Sequence, residues 1–425
     1  MQLTRRSRVS VTGLLTILSL AYVAPGNAQS SQSTYQLLFE LELTAGQSTA
    51  NAAITLSQRT SALIELRFRA PLHQFTEFRG DGKIQRAGDI VTWRPPDSGG
   101  ALHYNVEINH NRNAGGFDAL ITDDWALFRA DDVFPPARIR RKVGTTGTSS
   151  LILSVPNGWS AVTPFMKGPD NQSVVDNPKR MFDRPVGWII AGHLGVRRDF
   201  ISGIDVSVAA PKDAGTERVS MLALLSWTLP YLTRELDEVP DRLSVVSAND
   251  PMWRGGLSAP NSIFVHADRP LLSENATSTL LHETVHMLTG FPTDPDQDWI
   301  DEGIAEYLTL ETLRRSGTIS DKRFNAAIEG FRKRGKSVES LSARISKGDV
   351  TARAVLIFAA LDLEIQKTTD GDADIFTLLR LLMMEQMPVD VPRLRDLALK
   401  ITAAEDAVNN SIKSLAPDQL PGFEE

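Results

Sequence analysis

Residues 281–307 read LHETVHMLTGFPTDPDQDWIDEGIAEY, and this stretch decides what the rest of the chain has to build. His282, Glu283 and His286 form the pattern HExxH, and Glu302 follows within DEGIAEY. Histidines four apart lie about one helical turn apart, so both imidazoles can address one ion. Glu283 stands beside the first histidine without having to bind the ion. Two neutral imidazoles and one carboxylate on zinc leave a fourth position for water, whose pKa falls to roughly 7, and a free carboxylate can take its proton. The stretch therefore predicts metal-assisted hydrolysis.

The flanking residues set the local structure. Ser273 or Asn275 is expected to cap the motif helix, and Gly290 with Pro292 to end it. After the turn-rich segment 291–298, a second helix is expected from Asp298 or Trp299 to Arg315, stopped by Gly317. No histidine follows His286, so a third ligand downstream must be a carboxylate, Glu302 or Glu306. These two share a helix face. Glu302 is taken as the ligand, and Glu306 as the acceptor of a hydrogen bond from a ligand histidine. The competing reading is a salt-bridged face between two helices. A purely structural zinc would call for four protein ligands, and only three are identified.

The totals bound the remainder. A chain of 425 residues, 42% hydrophobic and 23% charged, reads as a soluble globular protein, best divided into two domains. Arg5, Arg6 and Arg8 precede an apolar run from Val9 to Val23, and Gly26-Asn27-Ala28 offers a cleavage site. This layout predicts a signal peptide over 1–28, removed near Ala28. The run is short for a membrane anchor and is interrupted by Ser10, Thr12, Thr16 and Ser19. Removing it takes away three arginines and no acids, so the net charge moves from −7 to −10. An acidic chain without a long basic run is not expected to bind nucleic acid. No later segment is expected to make a stable membrane span. Cysteine is absent, which excludes disulfides, thiolate metal sites and a cysteine nucleophile. Export without disulfides suggests a bacterial periplasm or the medium.

From Tyr35 to about Phe165 short alternating runs predict a β-sandwich-like domain over 29–175. His73, His103, His110 and later His193 are read as packed or surface residues. The second domain, 176–405, is expected to begin with further strand over Trp188 to Val208. Helices follow near 216–236, 320–334, 351–367, 374–386 and 391–403, then a tail over 406–425.

HETVH followed by WIDEGIAEY resembles the gluzincin metallopeptidases, and within them the glycyl-aminopeptidase-like family. The stretches Phe117–Pro136, Gly187–Arg198 and Leu361–Ile365 resemble that family too. The resemblance implies an α+β protein, with an N-terminal β domain packed on a thermolysin-like, mainly helical catalytic domain. It also implies one zinc ion on His282, His286 and Glu302, Glu283 as general base and Glu306 behind a ligand histidine. Two positions depart from the family. Its GGLE is here Gly255-Gly256-Leu257-Ser258, which lacks the glutamate that would hold a substrate amine. Its YxKG is here Thr351-Ala352-Arg353-Ala354, without the tyrosine that stabilises an oxyanion; Arg353 is the candidate substitute. The expected function is an exported zinc peptidase acting on peptide or protein substrates. The alternative is a weakly active or inactive zinc-binding homologue that holds peptides or a protein partner.

Overall fold

The computed structural model describes residues 34–112, 115–168, 172–176, 182–402 and 404–413. The expected signal peptide lies outside the described residues.

Alternation in the first half becomes strand because every second residue is buried. In Thr34–Glu42, Tyr35, Leu37, Phe39 and Leu41 face inward while Thr34, Gln36 and Glu42 stay exposed. This strand lies inside a seven-stranded sheet, antiparallel to Thr49–Gln58 and parallel to Thr146–Ser154. A four-stranded sheet adds Leu66, Phe68 and Trp93 to the same core. A third sheet runs in the order Ser160–Val162, Trp188–Gly192, Trp125–Arg129, Phe117–Ile121, His110–Asn111 and is apolar on both faces. Ala126, Phe128, Ile189 and Ala191 join the first core; Leu127, Trp188 and Ile190 join a second cluster with Val246, Ala259 and Phe264. That second cluster fixes the next sheet, which carries the candidate site.

The stretch from Trp188 to Val208, expected as further strand, is strand divided between two sheets. Trp188–Gly192 pairs with Trp125–Arg129, whereas Leu194–Ile201 and Ile204–Pro211 form a hairpin in the following sheet. The third sheet thus takes strands from both sides of residue 175. Alternation specifies which face is buried, not which strand is the neighbour. The site-bearing sheet has the order Leu194–Ile201, Ile204–Pro211, Arg242–Val246, Ser262–Val265, Gly256–Ala259. Its last strand is antiparallel to Ser262–Val265 and forms an edge.

The motif helix spans Thr279–Thr289 and begins later than expected. Ala276 adopts a left-handed φ of 60°, and Ser273 Oγ accepts the Thr277 N–H at 3.0 Å, so this segment is a turn. Ser278 caps the helix, its hydroxyl accepting from Leu281 N–H. The next helix, Trp299–Arg315, crosses Asp349–Thr368 at Gly303, where an added Cβ would lie 2.5 Å from the Ala354 Cβ. The helices Asp321–Arg334, Ile375–Met383 and Val391–Thr402 lie near their expected positions. A helix over Glu405–Lys413 occupies the start of the stretch expected as a tail; Val408 and Ile412 bury themselves in the helical core. The architecture is mixed, with strands dominating the N-terminal region and helices the C-terminal part. No helix among the described residues is long and apolar enough to cross a membrane.

Candidate metal centre

Helical geometry puts His282 and His286 on one face of the motif helix, and the neighbouring helix brings carboxylates to meet them. The two rings meet edge to face with centroids 4.6 Å apart, and their Nε2 atoms are 3.1 Å apart. Glu302 points its two oxygens at them, Oε2 3.5 Å from His282 Nε2 and Oε1 3.5 Å from His286 Nε2. One ligand atom from each of His282, His286 and Glu302 lies within 4.8 Å of the others.

The far side of each imidazole is also held. Glu306, expected behind a ligand histidine, has its Oε2 2.9 Å from His282 Nδ1. Asp301 Oδ2 lies 3.2 Å from His286 Nδ1, a partner that sequence reasoning missed. The signal was available, because a second ligand histidine needs its own acceptor and Asp301 adjoins Glu302. With both Nδ1 atoms facing carboxylates, both Nε2 atoms are directed inward. A donor set of two imidazole nitrogens and one carboxylate oxygen at this spacing fits a zinc ion.

The electrostatics follow from the packing. Burial pushes the Glu302 carboxyl up, but the two imidazoles outweigh it and hold it well below the usual carboxylate range. Burial works against the charged form of both histidines, yet the carboxylates around them win. His286 is pushed up to about 9, mainly by Asp301 and Glu302, and His282 is raised well above its ordinary value by Glu302 and Glu306. Glu283 is buried with no dedicated cation, and burial raises its carboxyl. Its close approach to the edge strand depends on Gly256, where an added Cβ would meet Glu283 Cγ at 2.7 Å. The Ser258 backbone N–H favours the charged form of Glu283 and partly offsets the rise caused by burial.

The centre opens into a cleft of about 660 Å³, with Leu257 and Ser258 on one wall and Phe331, Lys347 and Thr351 on another. Thr351 stands where the family resemblance places a tyrosine, and among the described residues no tyrosine lines the cleft. The hydroxyl of Tyr307 is buried and donates to Asp362 Oδ2 at 2.6 Å. Arg353, the expected oxyanion stabiliser, is not among the residues lining the cleft; its backbone faces Gly335. The cations that line it are Arg112, Arg269, Arg334 and Lys347. None of the histidines of the β region joins the centre. His73 and His110 line a neighbouring cavity, where His110 Nδ1 faces Asp118 at 2.5 Å.

No protein-family model matches the sequence, and no curated protein matches it. Solved structures do match. An aminopeptidase N family protein from Idiomarina loihiensis superposes with a TM-score of 0.62 at 16% identity, covering 92% of this chain and 74% of that one. An M1 zinc metallopeptidase from Deinococcus radiodurans, a glutamate-to-alanine mutant bound to a Tyr-Ser-Ala substrate, gives a TM-score of 0.58 at 18% identity, covering 92% and 95%. At these identities the likeness establishes a shared fold.

Proposed function

We propose that this chain is an exported zinc-dependent metallopeptidase of the gluzincin type, hydrolysing peptide bonds with Glu283 as general base. The observation that carries the reading is the pairing of three convergent ligand groups with a separate buried carboxylate at the mouth of a sheet edge. Kinship with the glycyl-aminopeptidase-like family and a thermolysin-like catalytic domain rest on the sequence resemblance alone. His282, His286 and Glu302 would hold the ion, with Glu306 and Asp301 orienting the imidazoles.

A bound zinc ion supplies Lewis acidity, making a water nucleophilic near neutral pH and polarising a carbonyl. The remaining work belongs to the chain. Glu283 takes the proton of the attacking water and delivers it to the departing amine, and burial brings its carboxyl nearer to the range where both transfers are easy. Gly256–Ala259 has a strand on one side only, so an extended peptide can align along the other. Ser258 carries no charge to hold an ammonium group, so cleavage is not restricted to the amino terminus.

The second reading, a zinc-binding homologue with weak catalysis that holds peptides, is favoured by Thr351 at the position of the missing tyrosine. Loss of one oxyanion donor typically costs about 10²–10³ in rate. The test is hydrolysis of a diverse peptide mixture by wild type and Glu283→Gln, with zinc content measured on both. Cleavage that disappears in the zinc-loaded variant supports the peptidase. Full zinc with no cleavage by either protein supports the binding reading.

A further inference from the structure

We propose that the cleft is built for acidic peptides, with Arg112 and Arg334 receiving carboxylate side chains on either side of the metal centre. This rests on the peptidase reading for cleavage but not for binding.

The argument begins with which charges are already matched. Of the carboxylates lining the cleft, Asp301, Glu302 and Glu306 face imidazoles, and Glu283 is buried against the edge strand at Gly256. Arg112, Arg269, Arg334 and Lys347 line the same space, and none of them makes an ion pair among the described residues. Elsewhere among the described residues some arginines are paired, as Arg94 with Glu65 and Arg242 with Asp205, and others, such as Arg67 and Arg138, are not. Arg112 lies 4.1 Å over the Trp253 ring and Arg334 4.7 Å over Phe331. Among the described residues five other arginines also sit over rings, and each has an oxygen acceptor besides. Arg129 has Asp131, Arg234 has Glu235, Arg314 and Arg315 share Glu311, and Arg86 donates to backbone carbonyls.

Stacking fixes the guanidinium plane and leaves its N–H edge free, which suits two-pronged recognition of a carboxylate. The two arginines come from different walls. Arg112 follows strand His110–Asn111 of the β region, and Arg334 ends the helix Asp321–Arg334. Arg112 and Leu257 also line the neighbouring cavity, so a peptide running along the edge strand meets Arg112 as it leaves the centre. The whole chain is net negative, so this concentration of cations is local. With a neutral serine at 258, the cleft offers its cations to negative charge.

The test uses peptides identical except for Glu, Gln or Lys flanking one bond, all acetylated and amidated, plus the Gln peptide with a free C-terminus. Cleavage by wild type gives kcat/KM, and anisotropy with zinc-loaded Glu283→Gln gives affinity without turnover. The expected order is Glu, Gln, Lys, with about tenfold or more between Glu and Gln, shrinking with added salt. Arg112→Gln combined with Arg334→Gln should bring the Glu-to-Gln ratio close to one, while Lys83→Gln on the remote four-stranded sheet preserves it. Equal or inverted preference in both assays overturns the inference, even if cleavage is robust. A Gln peptide that gains as much from a free C-terminus as from Glu side chains also overturns it, since the arginines would then read chain ends. Tight binding of the Glu peptide without cleavage by any protein supports the inference and overturns the peptidase reading.

Discussion

The helix Trp299–Arg315 handles buried carboxylates in two ways, one in each half. Near its end Glu311 is fully buried and closed by Arg314 and Arg315, the second of which also reaches Asp374 at 2.8 Å. Near its start Asp301, Glu302 and Glu306 face His282 and His286. Guanidinium groups keep their charge at any ordinary pH, so the Glu311 cluster is complete as it stands. Imidazoles can give up their protons, and once they do, their nitrogens and the same carboxylates together make a donor set. One half of the helix is closed by its own ion pairs; the other presents a donor set that a cation would complete.

The strongest way to break this contrast is to cut both halves. His286→Ala should abolish stoichiometric zinc and peptide hydrolysis while leaving the fold intact. Glu311→Ala should strip Arg314 and Arg315 of their shared buried partner, leaving only Asp321 and Asp374 beside them, and cost about 3 kcal/mol, with zinc still bound below the melting temperature. Calorimetry and metal analysis separate the two, and a swap of phenotypes would end the distinction. Next comes the ranking among the carboxylates. Glu302→Ala should weaken zinc more than Glu306→Ala or Asp301→Ala, each of which should cost about 10–100-fold. Competition with a chromogenic chelator gives that order.

Protons sharpen the same contrast. In metal-free protein His286 is raised from 6.5 to about 9, and His282 is raised as well. A raised histidine stabilises the fold fully below its unfolded value and loses that contribution as pH climbs through the folded one. Metal binding runs the other way, since it needs both imidazoles neutral. The gap in melting temperature between zinc-loaded and metal-free protein should therefore widen from pH 6.5 to pH 9. The smallest effect expected is at the helix crossing. Gly303→Ala should cost about 1–3 kcal/mol by overpacking against Ala354, measurable by denaturant unfolding with zinc stoichiometry unchanged.

The centre itself was legible because helical spacing is a local property. His282 and His286 four apart, and Glu302 and Glu306 four apart, define two faces before any tertiary contact is known. What local pattern does not carry is the identity of a neighbour. Helical spacing alone does not name Asp301; it follows only from asking which acceptor serves the Nδ1 of His286. Arg353 follows from counting along the chain, whereas the cations that line the cleft come from separated segments. Trp188–Gly192 reads as strand, but nothing in its own pattern assigns it to the third sheet rather than to the sheet of the strands that follow. The helix Glu405–Lys413 exists because Val408 and Ile412 have a core to enter. The delayed start of the motif helix has a different cause, a single left-handed residue at Ala276 that propensity does not announce.

The most direct test of the central claim is anomalous scattering at the zinc edge from crystals of the purified protein grown with zinc. A single peak within ligating distance of His282 Nε2, His286 Nε2 and a Glu302 oxygen, with Glu283 outside that shell, is the predicted result. A peak held by Glu306 in place of Glu302, or no peak at this centre while zinc binds elsewhere, would contradict it.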